Sequence, residues 1–376
     1  MLKDPVLPDY SGECLTNIVP AIFSRLFGPS PNYRLWQDQP IPALSELHSK
    51  NVVLLVLDGL GWNQLKANRE RFSTFSSFKS SPITSVAPTT TSSALTSITT
   101  GLAPLQHGIV GYRMHMGGGD VMNVLRWSVA GKDVRSTYPP TLIQNIASFG
   151  GMKHAMVTRT EFGGTGFTQA HLYGARLTGW RVASSIAVEV SNLVKSGEKF
   201  VYVYYDGIDK VAHEYGFGSH YLAELRAVDR IVGDILEVLP PDTALVVTAD
   251  HGQVQVDQDP IVPNEQILSN VKFQSGEGRW RWFHVKPGSE QEVISGLNEL
   301  YGEIAWVRSK RQIIDEMWLG SAPTHEVAGR LGDVALIAME PVAFFDPSDT
   351  GELKLICRHG SLSEDEIYVP LMVFEK

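Results

Sequence analysis

The sequence predicts an α/β fold: a doubly wound, mostly parallel sheet with helices on both faces, plus a small inserted α+β lobe. Three observations lead there. The short β-branched apolar runs NVVLLVL (51–57), KFVYVYY (199–205) and TALVVTA (243–249) read as buried strands. Helical patterns alternate with them. Asp58, Asp206 and Asp250 follow these runs directly. In open α/β sheets, ligands bind just beyond the carboxyl ends of the strands.

The stretch APTTTSSALTSITTG (87–101) holds nine hydroxyl side chains in fifteen positions. It predicts a helix with Thr91 or Ser92 at the N-cap, Leu95, Ile98 and Leu102 along one face, and Gly101 near the C-terminus. Further helices are expected over PPTLIQNIASFG (139–150), WRVASSIAVEVSNLVKSG (180–197) and HYLAELRAVDRIVGDILEVL (220–239). From about 256 the texture changes. GRWRWFHVKPGSEQEVISGLNELYGEIAWVRS reads strand, helix, strand, with a turn at Pro287-Gly288. Residues 256–330 are therefore expected to form an α+β lobe capping a catalytic α/β domain made of 1–255 and 331–376. VALIAMEPVAFF and LKLIC are expected to return to the main sheet. Trp280, Trp282 and Trp306 could stack on a nucleobase, but core packing is the expected role.

Composition narrows the class. With 43% hydrophobic and 19% charged residues, the chain reads as globular. The net charge is −9 and there is no basic run, so neither a nucleic acid polymer nor an anionic membrane is an expected partner. An anionic small molecule fits only if bound cations reverse the local sign. Cys14 and Cys357 form no CxxC pair. MLKDPVLPDYSGEC lacks the layout of a signal peptide, and no apolar stretch approaches membrane-spanning length. A cytoplasmic enzyme is expected.

Four constellations carry chemistry. In YYDGIDKVAHEYG (204–216), Asp209 and His213 lie four apart and share a helical face, just after Asp206. In TADHG (248–252), a strand ends in Asp250 and His251, and Gly252 allows a sharp turn. In ICRHGSLSEDEIYVPL (356–371), His359 precedes Gly360 in the same strand-His-Gly pattern. A hydroxyl at the start of the 91–102 helix would sit beside free backbone N–H groups, where a phosphate binds. Asp58, Asp206, Asp209, His213, Asp250, His251 and His359 give seven oxygen and nitrogen donors, about what two divalent cations need, with one hydroxyl left to attack.

In order, the motifs LLVLDGLG, PTTTSSALTSITTGLAPLQHGIVGY, DGIDKVAHEYG, TADHG and RHGSLSEDEIYVPL resemble the alkaline phosphatase superfamily, in its nucleotide pyrophosphatase/phosphodiesterase branch, which also includes phosphonoacetate hydrolases. The resemblance spans most of the chain outside the lobe and implies an alkaline phosphatase-like fold. It implies Thr91 as nucleophile, one metal on Asp58, Thr91, Asp250 and His251, and a second on Asp209, His213 and His359. Zinc is the implied ion, with manganese as the alternative. His107 matches a family position read as support. Two departures stand out. Tyr112 occupies the place of a phosphate-contacting asparagine, and Ser92-Ser93-Ala94 replaces the usual asparagine-containing run. Oxyanion stabilisation is then left to the metals, the N–H groups of Thr91 or Ser92, Tyr112 or Arg113.

The expected activity is a two-metal type I phosphodiesterase or nucleotide pyrophosphatase acting through a phospho-threonine intermediate. Its substrate would be a small phosphoester, with nucleotides among the candidates. The alternatives are a phosphomonoesterase, a phosphonoacetate-type hydrolase and a cofactor-independent phosphoglycerate mutase-like enzyme, which HGSLSEDEIYVPL also resembles. A mutase would need a cationic pocket, for which Arg113, Arg126 and Arg358 are the loose candidates. A metal-binding protein without catalysis is the remaining reading. The sulfatase branch is excluded, because its Cys/Ser-x-Pro-x-Arg element is missing.

Overall fold

The computed structural model describes residues 3–28, 36, 41–349 and 355–376. A seven-stranded sheet runs in the order Lys79–Thr84, Tyr368–Glu375, Thr243–Thr248, Asn51–Leu57, Phe200–Tyr205, Ala155–Arg159, Arg176–Trp180. The last five strands are mutually parallel; the first two join antiparallel. Every side chain of Val52–Leu57, Phe200–Tyr205 and Thr243–Thr248 is buried. Successive strand residues point to opposite faces, so both faces of the sheet centre are covered. This is why these strands read as continuous apolar runs. The helices Ile186–Lys195 and Ser219–Val238 pack together, and Thr91–Thr100 packs against Ile18–Phe27.

Parallel register delivers the acids together. Val56 is level with Thr248, and Leu57 is level with Tyr205. Asp58 therefore emerges beside both Asp250 and Asp206 at one edge of the sheet.

Several sequence expectations are corrected. The helix expected over 139–150 is only Pro140–Ile143 followed by a 3₁₀ turn at Ser148–Gly151, where Phe149 has φ 53°. The hydroxyl-rich helix starts one residue earlier than expected, with Thr90 in extended conformation at its N-cap and Gly101 left-handed at its C-cap. Val334–Ala338 does not return to the main sheet. It is paired between Trp280–Val285 and Ala305–Ser309 in a separate four-stranded sheet that Val271–Glu277 completes. LKLIC falls partly outside the described residues, and its end, Cys357–Arg358, pairs with Val254–Gln255 in a two-stranded sheet instead. An apolar five-residue run specifies burial but not which sheet buries it. Within the second sheet the strand–helix–strand reading holds, with Glu290–Tyr301 between Trp280–Val285 and Ala305–Ser309.

Candidate active site

The helix Thr91–Thr100 is buried along its whole length, although it has six hydroxyl residues besides Thr91. A buried hydroxyl needs a partner, and these find local ones. Ser92 donates to Gly111 O at 3.0 Å, Ser93 to Ile109 O at 3.0 Å, and Thr96, Thr99 and Thr100 to carbonyls one turn back. Ser97 Oγ meets His107 Nε2 at 2.9 Å. Since Ile109 N–H donates to His107 Nδ1, the imidazole carries its proton on Nε2. Burial first, then Arg330, pushes its pKa down to about 3. His107 is thus a neutral structural group. Thr91 differs from its neighbours: its Oγ1 lies 3.1 Å from His251 Nε2.

The other sequence-chosen residues gather around this pair. His251 Nε2 is 3.5 Å from Asp58 Oδ1 and 3.4 Å from Asp250 Oδ2. His213 Nε2 is 3.2 Å from Asp209 Oδ1, and His359 Nε2 is 3.9 Å from the same oxygen. The rings of His251 and His359 stack at 3.7 Å. The donor atoms form two overlapping groups, Asp209 with His213 and His359, and Asp58 with Asp209 and His251.

Each of the three imidazoles meets a backbone carbonyl through Nδ1: His213 at Cys357 O, His251 at Gly252 O and His359 at Thr89 O. A carbonyl can only accept, so Nδ1 carries the proton and the lone pair is on Nε2. Three lone pairs then face carboxylate oxygens. Asp58 Oδ1 and Asp250 Oδ2 are closed to solvent and have no hydrogen-bond partner. Burial, reinforced by Asp250 and Asp209, pushes the Asp58 carboxyl well above its usual range. Burial and the neighbouring His251 push His359 far below its own. Acceptors facing acceptors repel, and cations between them reverse the sign. This donor set fits divalent metal ions.

Two residues fall out of the expected roles. Asp206, counted among the seven donors, is engaged by Arg159 Nε at 2.7 Å and by Lys210. Arg113, expected near the phosphate, is buried with Nη1 on Asp346 at 2.8 Å and on Asp349 at 2.5 Å. Its charge is spent there, and it does not line the cavity at Thr91. The Ser92 hydroxyl likewise turns to Gly111, which leaves its position at the helix start as its contribution.

The sequence from residue 52 to 362 matches the family described as type I phosphodiesterase / nucleotide pyrophosphatase. The chain belongs to this family. It is a family of phosphoester hydrolases within the alkaline phosphatase superfamily. No curated protein matches the sequence significantly. Among solved structures, an inactive form of murine ectonucleotide pyrophosphatase / phosphodiesterase 5 in complex with AMP superposes with a TM-score of 0.64 at 15% identity, over 86% of this chain and 87% of that one. The human counterpart gives 0.63 at 16%, over 86% and 87%. Phosphonoacetate hydrolase from Sinorhizobium meliloti 1021 in complex with phosphonoformate gives 0.63 at 16%, over 86% and 89%. The shared fold is that of the alkaline phosphatase superfamily.

In this family member, the site opens into two cavities. One, of about 330 Å³, meets Thr91, His213 and His359 and is also lined by Tyr112, Arg126 and Arg358. Tyr112 is held there by Asn123, whose amide donates to the Tyr112 hydroxyl at 2.7 Å. The other, of about 220 Å³, runs from Thr91 and Asp58 toward Phe162, Phe167 and Met156. Trp280, Trp282 and Trp306 line neither cavity at Thr91 and are buried in cores, as expected. Three supporting residues escaped the sequence reading. Tyr204 donates to Asp58 Oδ2, Gln253 donates to Asp209 Oδ1 at 2.7 Å, and Glu277 lines the first cavity. The alternation in VYVYYD marks Tyr204 as a strand residue level with Val56, which is the one signal that could have found it. Among the described residues, no helix is long and apolar enough to cross a membrane.

Proposed function

We propose that the protein is a two-metal phosphodiesterase or nucleotide pyrophosphatase in which Thr91 is the nucleophile. The observation that carries this reading is the convergence of Thr91 Oγ1, three imidazole Nε2 atoms and the partnerless oxygens of Asp58 and Asp250 on one point at the sheet edge. Asp58, Thr91, Asp250 and His251 would hold one cation, and Asp209, His213 and His359 the other. Zinc suits the imidazole-rich set and manganese is the alternative. Bound there, the cations supply positive charge to the phosphoryl oxygens and favour ionisation of the Thr91 hydroxyl and of water.

The chain itself supplies the rest. Thr91 Oγ1 forms a bond to phosphorus while the ester oxygen leaves with its bonding electrons. Water then cleaves the phospho-threonine and regenerates the hydroxyl. The start of the Thr91–Thr100 helix directs its dipole and backbone amides at the incoming phosphate; its first amide bonded within the helix is Ala94, to Thr90 O. The Tyr204 and Gln253 hydrogen bonds fix Asp58 and Asp209 in orientation. The two cavities that Thr91 lines leave room for the two substituents of a diester.

The test compares the zinc-loaded protein on two esters at equal concentration, p-nitrophenyl thymidine monophosphate and p-nitrophenyl phosphate. The diester is expected to turn over at least about tenfold faster, a difference of about 1.4 kcal/mol in barrier. A monoester preference would move the assignment to a phosphatase or mutase, and no rate on either ester to a phosphonate hydrolase.

A further inference from the structure

The second sheet contributes a side chain to the site. Its first two strands, Val271–Glu277 and Trp280–Val285, form a hairpin whose tip is Glu277-Gly278-Arg279. The Arg279 side chain anchors that tip: its Nε and Nη2 pair with Glu366, and its Nη1 donates to Glu340 O and Val342 O at 2.7 Å each. Glu277 is thereby carried into the cavity that Thr91, His213 and His359 line. Its Oε2 accepts a long hydrogen bond, 3.4 Å, from the hydroxyl of Thr90, the residue before the nucleophile. Its Oε1 is closed to solvent and has no partner.

A second feature makes room for this carboxyl. Gly360, next to His359, has φ 125°, and a Cβ there would lie 2.9 Å from Glu277 Cδ. Any larger residue would push the carboxyl out of its place. The Gly360 N–H in turn donates to Thr89 Oγ1 at 3.1 Å, so the segment before the nucleophile and the His359 loop are held together beside the carboxyl.

We propose that Glu277 is a substrate-contacting residue of this hydrolase, whose carboxyl donates a hydrogen bond to a phosphoryl oxygen of the ester at Thr91. The proposal rests on the phosphoester-hydrolase reading above. An ionised carboxylate at this spot would face the negative charge of the substrate, whereas the neutral acid offers it a proton. The surroundings favour the acid: burial pushes the Glu277 pKa up to about 8. The Thr90 hydroxyl, Arg281 and His213 act against that shift, and Glu366 adds to it. Arg358 and Asp349 face the same cavity. Oε2 is engaged by Thr90, and Oε1, beside Gly360, is the carboxyl oxygen left without a partner.

The experiment compares wild type, Glu277→Gln and Glu277→Ala, each with its melting curve. It measures kcat/KM on p-nitrophenyl thymidine monophosphate from pH 6 to 9.5 and the affinity for inorganic phosphate by calorimetry. Glu277→Ala is expected to lower kcat/KM about 100-fold, the usual effect of losing one oxyanion donor, and to weaken phosphate binding. Glu277→Gln keeps a donor, so it should stay within about fivefold of wild type. It should also lack the wild type's loss of rate as pH rises through about 8. The proposal is overturned if the Ala variant stays within twofold of wild type, or if the Gln variant is as impaired as Ala. Should Glu277→Ala fail to fold, the Gln variant decides alone: an alkaline loss identical to wild type overturns the proposal. If wild type turned over neither ester, the phosphodiesterase reading would fail, while calorimetry would still report whether Glu277 touches phosphate.

Discussion

Thr91 Oγ1 and His251 Nε2 stand 3.1 Å apart, the hydroxyl at the first turn of a wholly buried helix and the imidazole just past the end of a central strand. Because His251 Nδ1 is held by Gly252 O, the Nε2 lone pair is the atom that faces the threonine. Replacing Thr91 with Ala is expected to lower kcat by at least about 1,000-fold while leaving the fold intact, since the six other hydroxyl residues of the helix keep their own partners. Thr91→Ser should recover measurable turnover. Steady-state rates together with circular dichroism check both statements, and a Thr91→Ala enzyme of wild-type rate would remove Thr91 from the mechanism.

Stripping the protein with a chelator should lower its melting temperature. The oxygens of Asp58 and Asp250 would then be left facing one another without a partner. Zinc at about a thousand times its Kd should restore about 4 kcal/mol. Calorimetric melting over a zinc titration provides the measurement. A melting temperature independent of zinc, manganese and chelator would contradict the metal assignment.

Tyr204→Phe removes the hydroxyl that holds Asp58 Oδ2 and nothing larger. Metal affinity should fall about 10- to 100-fold, the range for losing one orienting hydrogen bond on a ligand. Competition with a chromogenic chelator reads this directly, and unchanged affinity would show that Asp58 needs no such support.

His107 predicts an acid-sensitive fold. Burial first, then Arg330, pushes its pKa in the folded protein down to about 3, against about 6.5 for a solvent-exposed imidazole. Between those values the unfolded chain binds a proton that the folded chain does not, so stability is fully present above about pH 6.5 and is lost as pH falls toward 3. His171 and His154, each pushed down to about 4 chiefly by burial, add to the same slope. His107→Gln should therefore flatten the fall in melting temperature between pH 6.5 and 4 without abolishing it. An unaltered slope would mean that His107 does not contribute.

Much of the site was legible because its chemistry and its backbone position share one signal. Asp58 and Asp250 each end a run whose residue types already demand burial, and Asp209 and His213 need only one helical turn to meet. Asp206 shows where that reasoning stops. It also ends a strand, but Arg159 from the neighbouring strand neutralises it, and AMVTR is too short and mixed to have announced that strand. Arg113 failed for the same reason: its partners Asp346 and Asp349 lie more than two hundred residues away in sequence. Glu277 sat in a Gly-Glu-Gly turn, where an acidic residue ordinarily marks solvent. In each case a long-range pairing decided the outcome, and local pattern carries no record of such pairings.

The donors gathered at Thr91 begin with Asp58 and end with His359, on opposite sides of nearly the whole chain, and the second sheet is threaded between them. The second donor group, Asp209 with His213 and His359, is therefore completed late in the life of the molecule. A growing chain on the ribosome can present Asp58, Thr91, Asp250 and His251 while His359, which docks on Thr89, is still missing. A prematurely terminated chain would thus carry the donors proposed for one cation and lack a donor for the other.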